Sequence, residues 1–160
     1  MPLVKMVEKT PRAVLRVLHY PPIEKDNGLN LAERAKEGAM RAIEHEDLTL
    51  VSAVMALIGS GLQLKDLAGN WHSVPPGTDN LVINIGDMLE MCSRGFYKAT
   101  THRVVNPEDE EAQQSRYANA FFMNPRDDVQ LDDKHTALSC LTEHINKKLE
   151  NYEAIPAVEA

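Results

Sequence analysis

The sequence predicts an all-β domain, a sandwich or jelly roll, with a helix at its C-terminal end. Short stretches rich in β-branched and aromatic residues recur along most of the chain, and Gly, Pro and Asn lie between them. A helical period of apolar residues is clear only in the tail. Many short strands at even spacing are typical of sandwiches and jelly rolls. The 160 residues are the length of a single domain, 1–160.

The first part of the chain predicts two strands. Residues 13–20 are rich in Val and Leu and are followed by two prolines, which end a strand because proline cannot donate to the ladder. Residues 29–41 are polar and alanine-rich, and they predict either a short helix or a mobile insertion. Residues 48–56 predict a buried strand that runs into a turn at 59–61, where two glycines flank a serine.

The second part predicts a hairpin, further short strands and the helix. Residues 62–66 alternate in polarity, and a turn at 68–70 leads into a returning strand that starts at Trp71. The remaining strands are predicted at 81–85, 99–105 and 116–124. Between 136 and 149, apolar residues recur every three or four positions and form one face of a helix that we expect to pack on the barrel. These residues are Leu138, Leu141, Ile145 and Leu149.

Composition and charge argue against several classes of function. A net charge of −7 disfavours nucleic acid and anionic membrane surfaces, which need basic patches. No apolar run is long enough to span a bilayer, and the N-terminal residues lack the apolar core of a signal peptide. The two cysteines have no metal-binding spacing, so we expect reduced thiols in a cytoplasmic protein.

A possible metal site comes from two histidines and an aspartate. His45 and Asp47 form a His-x-Asp pair, and His102 is a distant third candidate. Two imidazoles and one carboxylate are the ligands of the facial triad that binds Fe(II) and leaves coordination positions open for a cosubstrate and O₂. A His-x-Asp pair also occurs by chance, so the spacing alone is weak and the flanking residues decide the question.

The flanking segments resemble the C-terminal catalytic region of the isopenicillin N synthase-like, Fe(II)- and 2-oxoglutarate-dependent oxygenases. The resemblance runs from about Val14 to the terminal helix. The segments that carry it, in order, are HYPP (19–22), HEDLTL (45–50), GLQLKDLAGNW (61–71), LVINIGDMLE (81–90), YKATTHRVVNP (97–107) and SRYANAFFMNP (115–125). NIGDML followed by THRVVNP is far more specific than the three ligand candidates alone.

The resemblance implies a double-stranded β-helix, a jelly roll with the metal inside its open end. It implies that His45, Asp47 and His102 hold Fe(II). Arg116 matches the arginine that binds the far carboxylate of 2-oxoglutarate, a role that suits the two-pronged guanidinium donor. Two further residues are expected near the cosubstrate: Tyr20 and Asn84.

Two departures from the family pattern bear on activity. The family has Arg-x-Ser, whereas this chain has Arg116-Tyr117-Ala118 and so lacks one hydroxyl donor to the cosubstrate. The family's N-terminal helices and strands, which cover one face of the barrel and shape the substrate pocket, have no counterpart in these 160 residues. This departure predicts either a homo-oligomer or a missing N-terminal partner region.

The function that the resemblance implies is oxidation, most often hydroxylation, of a small organic molecule. 2-Oxoglutarate is decarboxylated to succinate in the same reaction, and O₂ is the oxidant. Two alternatives stay open from the sequence. One is an inactive relic of the jelly roll that binds metal or serves as an interaction module. The other, suggested by Ala118, is an oxidase that needs no 2-oxoglutarate, as isopenicillin N synthase does not.

Overall fold

Two four-stranded antiparallel sheets face each other in this protein. The computed structural model describes residues 1–22, 40–77, 80–106 and 109–153, without the side chains of 56–58, 109 and 151–153. The first sheet has the order β1-β8-β3-β6 and the second β2-β7-β4-β5. Every strand pairs antiparallel with its neighbours, which confirms the expected jelly roll with a C-terminal helix.

The strands of the first sheet are β1 (Val14–Tyr20), β3 (Val51–Ile58), β6 (Val82–Ile85) and β8 (Arg116–Met123). Those of the second are β2 (Met40–His45), β4 (Leu62–Lys65), β5 (Trp71–Ser73) and β7 (His102–Val105). The helices are α1 (Leu3–Val7), α2 (Asp87–Cys92) and α3 (Ala137–Glu153), and a 3₁₀ turn spans Asp109–Gln113.

The central strand β8 shows how the sequence selects the inner face of the first sheet. Its first, third and fifth side chains are buried, whereas Tyr117 between them is exposed. Successive side chains of a strand point to opposite faces, so this alternation places Arg116, Ala118 and Ala120 inside the barrel. The two alanines leave room in the interior, and the arginine brings a charge into it.

The main apolar core lies outside the barrel interior, where the helices pack against the end of the first sheet. Its buried members are Met6, Leu50, Met88, Leu89, Val129, Leu131 and Ala137. They come from α1, α2, the loop before β3 and the segment that leads into α3. This core therefore anchors the segment between β2 and β3, which carries Asp47.

The packing of α3 corrects one expectation. Leu141 packs against the core as predicted. However, Leu138, Ile145 and Leu149 are 44%, 46% and 56% exposed. The apolar period correctly predicts a helix, but the helix contacts the core through Ala137, Cys140 and Leu141 and not along the whole predicted face.

Several element boundaries also differ from the expectations. Residues 40 and 41 belong to strand β2, whereas we expected a helix or insertion over 29–41; residues 29–39 lie outside the described residues. Strand β3 begins at Val51, not at 48, because residues 48–50 form a bend that turns the chain into the core. β7 begins at His102, not at 99. The short helices α1 and α2 were not predicted, because five or six residues are too few for a helical period to show.

The outer face of the first sheet is apolar and exposed. Leu15 pairs with Phe121, and Ala53 pairs with both Phe121 and Ile83, so these four side chains form one row across the sheet. Leu15 and Ile83 are more than half exposed, as is Val17. Among the described residues, no helix has both the length and the apolar content needed to cross a membrane.

Leu131→Ala should lower the free energy of unfolding by about 2–5 kcal/mol, because it leaves a cavity in a packed apolar core. Leu138→Ala is the matched control, since that leucine is 44% exposed and should cost less than about 1 kcal/mol. Urea denaturation of both variants measures the difference. Equal losses would show that the core is not where the structure places it.

Candidate metal and cosubstrate site

His45, Asp47 and His102 come together at one end of the barrel. His45 is the last residue of β2, His102 is the first of β7, and the two are register partners. The Nε2 atom of His45 lies 3.7 Å from one carboxylate oxygen of Asp47, and Nε2 of His102 lies 3.8 Å from the other. One ligand atom from each of the three residues lies within 4.8 Å of the others, so the three can share one ion.

Both imidazoles are held in the tautomer that a metal needs. Nδ1 of His45 donates to the carbonyl of Ile43 at 2.7 Å, and Nδ1 of His102 donates to the carbonyl of Thr100 at 2.8 Å. A carbonyl can only accept, so the proton of each neutral ring is on Nδ1 and the lone pair is on Nε2. Such backbone contacts orient metal-binding histidines.

Asp47 is fixed by a side chain that the sequence did not single out. The hydroxyl of Ser52 is fully buried and donates to the Asp47 carboxylate. Asn84 lies directly across the strand pair from Ser52. Asn84 is 0% exposed, and neither its amide oxygen nor its amide nitrogen has a hydrogen-bond partner among the described residues.

The loop that carries Asp47 is held against the start of α2. The backbone N–H of Asp87 donates to the Asp47 carbonyl at 3.0 Å, and that of Met88 donates to the Thr49 carbonyl at 3.1 Å. Gly86 makes this approach possible, since a Cβ there would lie only 2.6 Å from the Asp47 carbonyl oxygen. The NIGDM segment (84–88) thus holds the loop that carries Asp47 (46–50, the metal loop) in position.

A cavity of about 190 Å³ fills the barrel between the sheets and contains the three ligand candidates. Arg116 and Tyr20 also line it, and its apolar wall includes Leu18, Val54, Leu62, Val104, Ala118 and Ala120. Arg116 is only 2% exposed, and its Nε atom has no partner among the described residues. No carboxylate in that part of the chain forms a salt bridge with it. A buried guanidinium without a carboxylate partner is a costly arrangement that an anionic ligand would relieve.

Tyr20 stands between two arginines at this end of the cavity. The guanidinium carbon of Arg116 lies 5.0 Å from the centre of the Tyr20 ring, and that of Arg41 lies 5.8 Å from it. Burial lowers the pKa of Arg116, and the neighbouring Tyr20 hydroxyl partly offsets the effect. The pKa of Arg41 is lowered first by burial and then by the charge of Arg116. Two like charges this close favour a ligand with negative charge.

A larger, open groove of about 830 Å³ lies on the outside, next to the metal loop. It is lined by carboxylates, including Glu46 and Asp87, and contains none of the three ligand candidates. Glu46 is exposed and accepts a hydrogen bond from Thr101. Burial and the neighbouring charge of Glu46 raise the pKa of Asp87 to about 6. The groove therefore repels anions, whereas the barrel cavity attracts them.

The structure brings together five of the six residues that the sequence singled out. The metal candidates His45, Asp47 and His102 share the cavity with Arg116 and Tyr20. Asn84 lies behind it, beside Ser52. Sequence reasoning missed three residues whose neighbours carry no recognisable motif: Ser52, Arg41 and Arg16.

Comparison with known proteins gives the family. The sequence model of the 2OG-Fe(II) oxygenase superfamily matches residues 11–125, and the chain belongs to this superfamily. Its donor set of two imidazoles and one carboxylate suits Fe(II), and its buried Arg116 suits a dicarboxylate cosubstrate.

Individual relatives agree with this assignment. The 2-oxoglutarate-dependent dioxygenase citB of Monascus ruber is 34% identical over 125 residues. Gibberellin 2-beta-dioxygenase 1 of Arabidopsis thaliana is 29% identical over 140 residues. Among solved structures, a protein of Shewanella oneidensis described as an oxygenase is 37% identical with a TM-score of 0.79. A full-length protein of Neurospora crassa, solved in complex with alpha-KG, is 25% identical with a TM-score of 0.75.

The chain corresponds to only part of each of these proteins. The citB match covers 78% of this chain and 35% of citB, and the gibberellin dioxygenase match covers 86% and 38%. The Shewanella match covers 92% of this chain and 51% of that protein, and the Neurospora match covers 90% and 47%. The part shared with the two solved structures has the jelly-roll fold.

Gly86→Ala should weaken metal binding at least tenfold, because the new methyl group would push the Asp47 carbonyl away from the start of α2. Gly77→Ala is the matched control, since a Cβ there meets only the side chain of Asn80. Anoxic titration of both variants with Mn(II) measures the effect. Equal affinity in the two variants would contradict a role of Gly86 in positioning Asp47.

Asp87→Asn should remove a pH-dependent loss of stability in the metal-free protein. The pKa of Asp87 is raised to about 6, so the folded state keeps a proton that the unfolded state loses from about pH 4 upward. Stability from this group is therefore full below pH 4 and lost as the pH rises through 6. The melting temperature of the wild type should fall more between pH 4.5 and 7 than that of Asp87→Asn. Parallel curves would refute the raised pKa.

Proposed function

We propose that this chain is the catalytic domain of an Fe(II)- and 2-oxoglutarate-dependent oxygenase that oxidises a small organic molecule. The observation that carries the proposal is one small cavity with a His-Asp-His cluster at one end and, at the other, a buried Arg116 that has no carboxylate partner among the described residues. Fe(II) with bound 2-oxoglutarate supplies the activation of O₂, coupled to decarboxylation of the cosubstrate to succinate and CO₂.

The residues of the chain have separate tasks in this proposal. Nε2 of each histidine and a carboxylate oxygen of Asp47 bind the metal, and the Ser52 hydroxyl keeps the carboxylate turned toward it. Arg116, next to Tyr20, binds the distal carboxylate of the cosubstrate. The apolar wall excludes water, which strengthens these electrostatic contacts and protects the reactive centre.

The missing serine has a structural substitute in this proposal. Ala118 is 1% exposed and lines the cavity at the next inward-facing position of β8, two residues after Arg116. A serine there would donate its hydroxyl to the cosubstrate carboxylate. Arg41 lies close enough to Arg116 for the charge of Arg116 to lower the pKa of Arg41, so a ligand bound to Arg116 would meet a second cation there. This favours retained 2-oxoglutarate binding over an oxidase that needs no cosubstrate.

The metal-dependent release of succinate tests the proposal. Purified chain with Fe(II), 2-oxoglutarate and O₂ should form succinate slowly even without a substrate, and Asp47→Ala should abolish this reaction because Asp47 is the anionic member of the three ligands. The control is Asp128→Ala, which removes an exposed carboxylate away from the cavity and should keep the activity. If the wild type neither binds 2-oxoglutarate nor releases succinate, the chain is a relic of the fold.

Ala118→Ser should tighten 2-oxoglutarate binding by about fivefold to a hundredfold, because the added hydroxyl donates to a charged carboxylate for about 1–3 kcal/mol. Ala120→Ser, one inward position farther from Arg116, is the control and should change the affinity little. Arg41→Met should have the opposite effect and weaken 2-oxoglutarate binding, because it removes the second cation. Calorimetry under anoxia with Mn(II) measures all three affinities. If none of the three affinities changes, the cosubstrate does not bind at the Arg116 end of the cavity.

A further inference from the structure

A third arginine reaches the barrel cavity, and the proposed function leaves it without a task. Arg16 lies on β1 and lines the cavity together with Leu18 and Tyr20. Its register partner is Ala120, whereas Tyr20 is the partner of Arg116. Four residues of strand separate Arg16 from the row of Arg116, about 13 Å at roughly 3.3 Å per residue. Arg16 is therefore too far along the barrel to share the carboxylate that Arg116 binds.

The guanidinium of Arg16 is directed toward the metal end. Its central carbon lies 5.1 Å from the centre of the Phe122 ring. Phe122 is the register partner of Ser52, whose hydroxyl donates to the metal candidate Asp47. A short path of neighbouring side chains thus connects Arg16 to the metal loop.

Arg16 has no anionic partner among the described residues, although the chain carries 24 acidic side chains. By contrast, Arg12 pairs with Asp127 and Arg126 pairs with Asp128. The cation–π contact with Phe122 holds the guanidinium plane and leaves its donors free. A supported, unpaired guanidinium at the opening of a cavity is suited to bind a carboxylate in two-pronged fashion.

We propose that Arg16 binds a carboxylate of the substrate, so that the enzyme acts on small organic acids. This inference rests on the proposed function, because it assumes that 2-oxoglutarate occupies the Arg116 end. The ring of Phe122 offers an apolar surface beside the cation for the carbon skeleton of the acid. The cavity of about 190 Å³ is small beside the roughly 300–1,000 Å³ of typical ligand sites, which favours a compact substrate.

The test uses the full chain loaded with Zn(II) and saturating 2-oxoglutarate under anoxia, so that Arg116 is occupied and no turnover occurs. A set of small aliphatic and aromatic carboxylic acids, each with its neutral primary amide, is titrated and followed by ligand-observed NMR. We expect acids to bind, and the amides of the bound acids to bind at least tenfold more weakly. Arg16→Met should weaken the bound acids at least tenfold, and Arg16→Lys should recover part of the loss.

Arg103→Met is the matched control. Its guanidinium carbon lies 4.0 Å from the centre of the Trp71 ring, so it shares the cation-over-ring arrangement, but it does not line the cavity. The acids should bind to the Arg103→Met variant as tightly as they bind to the wild type. The inference is overturned if no acid binds, if amides bind as tightly as acids, or if Arg16→Met binds the acids like the wild type.

Measuring 2-oxoglutarate in the same samples separates the two proposals. If 2-oxoglutarate binds the wild type and the acids show no preference, the substrate class is wrong and the proposed function stands. If 2-oxoglutarate does not bind at all, the proposed function fails and the assignment of Arg16 fails with it.

Discussion

The backbone contact between the metal loop and the start of α2 is the constraint on which the site depends. Asp47 lies in a loop between β2 and β3 and has no strand partner of its own, so its carboxylate would have no fixed position without outside support. Two N–H groups of α2 supply that support by bonding the carbonyls of Asp47 and Thr49. The contact also carries Leu50 and Met88 into the same apolar core. Packing of the helices thereby fixes the position of Asp47, a candidate metal ligand inside the barrel.

The barrel cavity is lined mainly by positive charge, although the chain as a whole is negatively charged. The chain is acidic overall, with a net charge of −7, and the outer groove beside the metal loop is lined by carboxylates. Inside, Asp47 is the one carboxylate among the described residues that lines the cavity, whereas two arginines line it and a third lies close to Arg116. Burying the Arg116 guanidinium costs desolvation free energy, which the apolar side chains around it cannot offset. An anion bound beside Arg116, as proposed for 2-oxoglutarate, would recover part of that free energy.

The sequence predicted the fold class and most of the strands because both depend on local patterns. Alternation along β8 and the turn before Trp71 are visible in a few residues each. The metal candidates were predicted because the segments around them are specific to a family. Arg16 and Arg41 were not predicted, since their importance comes from register with β8 and from the position of Tyr20, which no local pattern encodes. The exposure of Leu138 was missed for the related reason that an apolar period identifies a helical face but not what covers it.

The two histidines of the site meet the solvent very differently. The side chain of His45 is 42% exposed, whereas that of His102 is 8% exposed. An ion held between them would have one imidazole bond facing water and the other enclosed by the barrel. Exchange of the ion would therefore start at His45, with the Asp47 and His102 bonds breaking afterwards. Water could therefore replace an imidazole of the bound ion on the His45 side, whereas the His102 side is closed to it.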